Sequence, residues 1–259
     1  MYMLNTEIKR WGIVVIQSLY PDDPKTGESL YNDILRYKNY CKKESFSNFY
    51  DVQSLQGFRS AIKEVENSLT AGDILTLQIE SHGCEKGIGL NNNELLEWKD
   101  FYDLIRPINV KCGHLLFVVM AMCKSISMIS SINIVERAPY RAFICTTRDV
   151  NSDEINRGFI AFYEKYYNLL DISKALRAIQ EEVMDQDGHS PFQALTAESV
   201  YNDTFNPNRN ISDLVTDQLG RLNIPITETT KSIMNNHLQI LLKELHDRFY
   251  EYYNFKDLY

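Results

Sequence analysis

Clusters of basic residues are missing from this sequence. No run of lysine and arginine is longer than two residues, as at Lys42-Lys43, and the formal net charge is −8. A nucleic-acid-binding protein usually presents a basic face to the phosphates. We therefore expect no direct nucleic-acid partner, and an acidic surface that mainly favours solubility.

Long apolar runs and a regular cysteine pattern are missing too. The longest apolar run, residues 115–123, is too short to span a bilayer, which takes about 20 residues. Residues 1–10 contain no apolar segment and no small-residue cleavage site of the kind found in signal peptides. The five cysteines are odd in number and irregularly spaced, unlike a secreted disulfide framework. We expect a cytoplasmic protein with free thiols and no membrane partner.

Internal repeats and low-complexity tracts are also missing, whereas hydrophobic residues are abundant at 44%, enough for a packed core. Apolar runs alternate with segments of helical periodicity. This alternation predicts an α/β fold with a mostly parallel central sheet flanked by helices. The predicted strands are residues 12–19, 50–55, 74–80, 115–122, 142–146 and 192–196.

Apolar spacing and chain breakers predict the helices between these strands. A mobile polar loop at residues 21–29 precedes a helix predicted over residues 30–42. Residues 98–105 are predicted to form a helix that Pro107 ends, because proline cannot donate the next helical hydrogen bond. A further helix is expected after residue 151, where an asparagine and a glutamate three residues later have the spacing of a capping box.

The carboxyl-terminal part of the sequence is expected to be helical. Residues 1–200 are predicted to form a compact domain, and residues 201–259 a linker and a helical extension. The linker is predicted at residues 203–210. Apolar residues recur with helical spacing in that extension, which predicts an amphipathic helix whose tyrosines, from Tyr250 to Tyr259, are available to a partner protein. The apolar positions are Met234, Leu238, Leu241, Leu245 and Phe249.

Two reactive side chains follow neighbouring strands of the predicted sheet. His82 comes just after the third strand and Cys123 just after the fourth. The carboxyl ends of adjacent parallel strands lie about 5 Å apart, so the two side chains are expected to share a cleft. An imidazole can deprotonate a thiol, and the resulting thiolate is a strong nucleophile. The backbone N–H groups of Gly83 and Cys123 are candidates for an oxyanion hole.

Other roles for these residues stay open at this point. A cysteine that ends a buried strand is often a small core residue, as Cys145 is expected to be, and a histidine at a strand end is often only hydrogen-bonded. The pairs His82-Gly83-Cys84 and Cys112-Gly113-His114 mirror each other, but structural zinc sites usually separate paired ligands by two or more residues. We therefore expect no metal and no other cofactor.

The same positions resemble a known family. Ser81-His82-Gly83 and Ala121-Met122-Cys123, each after a strand, resemble the caspase-like clan of cysteine peptidases. Later segments resemble the CHAT branch of that clan, and the likeness runs from about residue 11 to residue 195. These segments are Phe143-Ile144-Cys145-Thr146-Thr147 followed by Asp149-Val150, and residues 158–163, 172–177 and 191–195.

The resemblance implies a fold and a set of roles. It implies a caspase-hemoglobinase-like fold of three layers, with His82 as general base or ion-pair partner, Cys123 as nucleophile and Gly83 in the oxyanion hole. The sequence departs from the family just after the cysteine, where small or acidic residues and a glycine are usual. Here Lys124-Ser125-Ile126 occupies that position.

The resemblance also places the first specificity pocket after the fifth strand. Thr147, Arg148, Asp149 and Asp153 would then lie near the substrate. Asp149 is expected to select a basic side chain through a charge-assisted hydrogen bond, whereas Arg148 would instead favour an acidic one. Asp149 and Asp153 have an alternative role as caps of the following helix.

We therefore predict a cysteine endopeptidase that cleaves a protein substrate through an acyl-enzyme. The resemblance suggests a regulated effector of bacterial defence or programmed cell death, with an activating partner protein and a substrate such as a gasdermin-like pore former. Loops at residues 21–29 and 84–93 are the expected moving parts. The alternatives are a catalytically silent scaffold or interaction module, and a small-molecule hydrolase, which the absence of a Gly-x-Ser-x-Gly elbow disfavours.

Overall fold

The computed structural model of the protein describes residues 8–37, 44–133, 136–169, 171–204 and 211–253. Its main sheet runs in the order β2-β1-β3-β6-β7-β8, and every neighbouring pair is parallel except β7 with β8. A hairpin of β4 and β5 continues from the end of β3. The strands are β1 (Arg10–Ser18), β2 (Glu44–Asp51), β3 (Asp73–Cys84), β4 (Gly87–Gly89), β5 (Leu95–Glu97), β6 (Leu116–Ala121), β7 (Ala142–Thr146) and β8 (Phe192–Thr196).

Helices cover both faces of this sheet. The α-helices are α1 (Thr26–Asp33), α2 (Leu55–Ser68), α3 (Trp98–Lys111), α4 (Ser152–Leu169), α5 (Ile172–Glu182), α6 (Ala197–Thr204), α7 (Ser212–Arg221) and α8 (Glu228–Tyr253). Phe58 of α2 and Phe101 of α3 pack on one face, and Leu30 of α1, Phe159 of α4 and Ile179 of α5 pack on the other. The predicted three-layer α/β architecture is therefore confirmed. No helix in the described ranges is long and apolar enough to cross a membrane.

The buried strands explain why the chain folds this way. In β1, Val14 and Ile16 belong to the core under α2 and α3, while Ile13 and Val15 belong to the core under α1 and α4. Successive side chains of a strand point to opposite faces, so a continuous apolar run suits a strand that is covered on both sides. The predicted strands 142–146 and 192–196 coincide with β7 and β8.

The bounds of one predicted helix and one predicted strand were wrong. The helix predicted over residues 30–42 begins earlier, at Thr26, because Thr26 and Gly27 are buried against the sheet, and a 3₁₀ helix at Leu35–Tyr37 follows. Residues 38–42 of that prediction lie outside the described residues. The strand predicted over residues 50–55 is β2, which ends at Asp51, since Ser54 already caps α2 by accepting a hydrogen bond from the Gly57 N–H.

Proline does not end α3 as predicted. Pro107 lies inside the helix, which continues to Lys111. The hydrogen bond that proline cannot donate would go to the carbonyl of Asp103, an exposed residue whose carbonyl water can solvate. Beyond the proline, Ile108 and Asn109 are fully buried, so packing holds the last turn of α3 in place.

The carboxyl-terminal helix α8 confirms the predicted tail helix, although Leu242, and not Leu241, packs inward. Its last turn belongs to the main core, because Tyr253 is fully buried and donates a hydrogen bond of 3.1 Å to the Asn133 carbonyl. Helix α7 was not predicted, and it packs on the first half of α8. Of the predicted linker, residues 205–210 lie outside the described residues, and α6 extends to Thr204.

Candidate functional site

The register of β3 with β6 brings His82 and Cys123 to the same edge of the sheet. Glu80 pairs with Ala121, and two residues further along each chain lie His82 and Cys123. A Cβ added to Gly83 would lie 2.0 Å from the Cys123 carbonyl oxygen, so only glycine fits this contact between the two backbones. His82 does not follow the strand as predicted, since β3 continues to Cys84 and His82 pairs with Gly89 of β4. The imidazole is therefore carried by a paired strand.

Both side chains line one cleft of about 200 Å³ at the carboxyl edge of the sheet. Its walls come from the segment between β1 and α1 and from the first turn of α4, and its floor from β3 and β6. A volume of this size accommodates one side chain of a larger substrate, because drug-sized ligands need pockets of roughly 300–1,000 Å³. The cleft is therefore large enough for one amino-acid side chain.

Asp23 holds the imidazole of His82. Its Oδ2 lies 2.8 Å from Nε2 of His82 and also accepts a hydrogen bond of 2.8 Å from the Tyr20 N–H. The Tyr20 ring stacks on the imidazole with 4.5 Å between ring centroids. In a neutral imidazole whose Nε2–H donates to Asp23, Nδ1 is the nitrogen that accepts a proton. Asp23 was not predictable as a site residue, because it lies in a polar segment without periodicity.

The Cys123 thiol is held by the backbone of Val150. Its Sγ donates a hydrogen bond of 3.4 Å to the Val150 carbonyl and accepts one of 3.5 Å from the Val150 N–H. Neither hydrogen bond involves His82. The segment before α4 therefore keeps the sulfur in place beside the cleft, and a transfer of its proton to His82 requires this contact to loosen.

Two buried hydroxyl groups fix the turn that carries Cys123. Thr146 Oγ1 donates a hydrogen bond of 2.5 Å to the Met122 carbonyl, and the Thr146 N–H donates one of 2.9 Å to Ser125 Oγ. Between them Lys124 has a φ of 48°, in the left-handed region that glycine adopts more easily. This is where the sequence lacks the glycine usual in the resembled family. The turn is thus strained and anchored on both sides of the nucleophile candidate.

A carboxyl group lies on the floor of the cleft. Glu80 is 1% exposed, and its two oxygens accept hydrogen bonds from Thr26 Oγ1 at 2.8 Å and from Gln78 Nε2 at 2.5 Å. Burial raises the pKa of Glu80 to about 7, and the hydrogen bonds from Thr26 and Gln78 offset only part of that effect. Glu80 was not predicted as a site residue because it lies in an apolar strand, although a charged residue in a buried strand is itself a signal of function.

The residues expected to bind substrate after β7 do not line this cleft. Thr147 donates hydrogen bonds of 2.9 and 3.2 Å from its N–H and Oγ1 to the Pro191 carbonyl. Arg148 forms an ion pair of 2.8 Å with Glu154. Asp149 is 70% exposed at its side chain and lies 3.4 Å from Lys124 Nζ, on a neighbouring depression outside the cleft.

The start of α4 confirms the predicted capping box. The Asn151 side chain accepts a hydrogen bond from the Glu154 N–H, and Glu154 accepts one from the Asn151 N–H, both at 2.9 Å. Asp153 forms an ion pair of 2.9 Å with Arg157 on the same helix. These contacts occupy the charged groups nearest the first turn of α4.

The other thiols of the described residues lie apart from this chemistry. Cys112 and Cys145 are fully buried, and burial raises the pKa of each thiol to about 12. Cys84 is exposed at the end of β3. Within the described ranges the one grouping of possible metal ligands is Asp185, Asp187 and His189, all exposed, so the mirrored pairs around Gly83 and Gly113 do not converge.

Comparisons with known proteins give only distant likenesses. No family model and no curated protein matches the sequence. The solved structures that it resembles include the Drosophila initiator caspase Dronc, with 12% identity, a TM-score of 0.49, and coverage of 75% of this chain and 82% of Dronc. Protein GSU0716 from Geobacter sulfurreducens matches with 13% identity, a TM-score of 0.44, and coverage of 71% and 93%. These likenesses are too distant to assign an activity, which has to follow from the residues of the cleft.

Proposed function

We propose that this protein is a cysteine endopeptidase with Cys123 as nucleophile and His82 as its base. One observation carries the proposal: the β3–β6 register brings an imidazole held by a carboxylate and a partly exposed thiol to the same cleft. A base oriented by a third group beside a nucleophile is the arrangement that acyl transfer requires.

The reaction would begin with proton transfer from the Cys123 thiol to Nδ1 of His82. Asp23, on the opposite nitrogen, would stabilise the imidazolium that forms. The thiolate would attack the carbonyl carbon of the scissile peptide bond, and the N–H groups of Gly83 and Cys123 would receive the developing oxyanion. His82 would return the proton to the leaving amine, which leaves an acyl-enzyme that water hydrolyses.

We further propose that the enzyme is regulated. The two hydrogen bonds to Val150 would hold the Cys123 thiol in an inactive position. Displacement of the segment before α4 would release the thiol. An activating partner protein is one agent able to do this. The resemblance of the sequence to the caspase-like clan suggests a protein substrate, such as a gasdermin-like pore former in bacterial defence. In this proposal Asp149, which lies beside Lys124, would contact the part of a substrate that extends beyond the cleft.

A catalytically silent scaffold is the second candidate function. The observation that favours it is that the Cys123 sulfur bonds to Val150 and not to His82. Catalytic hydrogen bonds are often long or misaligned before substrate binds, so this geometry is compatible with both functions.

Cleavage of a peptide library separates the two. The wild-type chain, Cys123→Ala and Cys84→Ala are incubated with peptides derived from a whole proteome, and new amino termini are identified by mass spectrometry. A peptidase gives cleavage with the wild type and with Cys84→Ala, whose exposed thiol serves as the matched control, and none with Cys123→Ala. Equal product from the wild type and from Cys123→Ala contradicts the proposal.

A further inference from the structure

Among the described residues, the carboxyl group of Glu80 has no cationic partner. No lysine, arginine or histidine among the described residues forms an ion pair with it, although it is almost fully buried. A buried carboxylate is costly unless a cation or several hydrogen bonds compensate for the water it has lost. A carboxylate has about four acceptor positions, and Thr26 and Gln78 fill two of them.

The protein is built to hold this carboxyl group in one orientation. The Gln78 side chain that donates to Glu80 accepts a hydrogen bond of 2.5 Å from the Tyr163 hydroxyl of α4. Helix α1 closes over the group at Gly27, where an added Cβ would lie 2.6 Å from Glu80 Cγ. Helices on both sides of the cleft therefore fix a carboxyl group that the proposed chemistry at Cys123 does not use.

The rest of the cleft suits a long side chain that ends in a positive charge. Leu19, Pro24 and Ile155 line it with apolar surface, which suits the methylene groups of such a side chain. No lysine or arginine of the described ranges lines the cleft, so an acidic side chain would meet Glu80 without a compensating cation. Burial also raises the pKa of Glu80 to about 7, which is the direction expected of a buried carboxyl group without a cation beside it.

We infer that Glu80 is the specificity-determining residue of this cleft, which takes the lysine or arginine side chain of the residue whose carbonyl Cys123 attacks. The inference rests on the proposed peptidase activity and gives its substrate class. It differs from the expectation that Asp149 selects a basic side chain, since Asp149 is exposed and lies outside the cleft.

Active-site-directed probes test this inference. The probes are peptidyl acyloxymethylketones that differ only in the residue beside the reactive group. That residue is arginine, lysine, norleucine or glutamate. Each probe is reacted with the wild type, Glu80→Gln and Glu198→Gln. Glu198 is the matched control, because its carboxyl pKa is also raised by burial but it pairs with Arg141. We expect the ratio of arginine to norleucine labelling to fall about 100-fold in Glu80→Gln and to stay unchanged in Glu198→Gln.

Each outcome decides one of the two claims. A preference for norleucine or glutamate in the wild type, or an arginine preference that survives in Glu80→Gln, overturns the pocket assignment and leaves the peptidase proposal standing. If no probe labels Cys123, the peptidase proposal fails. The cation pocket is then tested separately, by measuring agmatine binding to Cys123→Ala with NMR. Binding that Glu80→Gln abolishes supports a cation pocket, and no binding overturns it.

Discussion

The two faces of strand β3 differ in chemistry although they belong to the same short segment. Leu75, Leu77 and Ile79 point into the apolar core beneath α2 and α3. Thr76, Gln78 and Glu80 point towards α1 and α4, where hydroxyl groups of Tyr166, Tyr163 and Thr26 satisfy them. Both sets are buried. One face therefore supplies stability through apolar burial, and the other positions polar groups beside the cleft at a cost in stability.

Truncation on the apolar face gives the largest expected loss of stability. Leu77→Ala removes a fully buried side chain and leaves a cavity, so we expect the free energy of unfolding to fall by about 2–5 kcal/mol. Urea denaturation measures this. The fraction that stays folded is expected to keep the labelling rate of Cys123, and a loss of labelling in the folded fraction would break the division between the two faces.

Removal of the charge on the polar face is expected to stabilise the protein. Below the unfolded pKa of 4.5, Glu80 is protonated in both states. As the pH rises towards about 7, the unfolded chain ionises while the folded carboxyl group keeps its proton, so the stability of the wild type falls by about 3 kcal/mol. Glu80→Gln removes this loss.

Urea denaturation of the wild type and Glu80→Gln from pH 4 to pH 8 checks the sign. The difference in unfolding free energy is expected to be small at pH 4 and to grow in favour of the variant up to pH 7. A difference that does not change with pH would show that Glu80 is already ionised in the folded protein, and that a cation is close to it.

Much of the apolar sheet was predictable from the sequence, whereas the polar contacts around the cleft were not. Strands β7 and β8 follow from local apolar runs, and the positions of His82 and Cys123 follow from where two such runs end. The contact of Asp23 with His82 joins residues that are 59 apart in the chain, so no local sequence pattern predicts it. The β4–β5 hairpin was missed because each of its strands has only three residues.

Substitution of Asp23 is expected to lower the reactivity of Cys123 without lowering the stability of the protein. Asp23→Asn keeps the size of the side chain but removes the charge that stabilises an imidazolium at His82. We expect the rate of Cys123 labelling to fall about 100-fold, with an unfolding free energy within about 0.5 kcal/mol of the wild type. A variant that labels at the wild-type rate would leave Asp23 as a structural residue of its loop.

The smallest predicted effects come from two glycines. Gly27→Ala would push a Cβ against Glu80 Cγ, so we expect a loss of about 1–3 kcal/mol in the free energy of unfolding. Gly220→Ala, near the end of α7, meets nothing within 4 Å and is expected to stabilise the protein by up to about 1 kcal/mol. Thermal denaturation of both variants checks the pair, and equal effects would show that α1 does not close tightly over Glu80.

Alkylation of the thiols tests whether His82 activates Cys123. The wild type and His82→Ala are treated with iodoacetamide at pH 7, and the modified cysteines are followed by peptide mapping, with the exposed Cys84 as internal reference. We expect Cys123 to react about 100-fold faster in the wild type than in His82→Ala, and Cys84 to react equally in both. Equal rates at Cys123 in the two proteins would contradict this expectation.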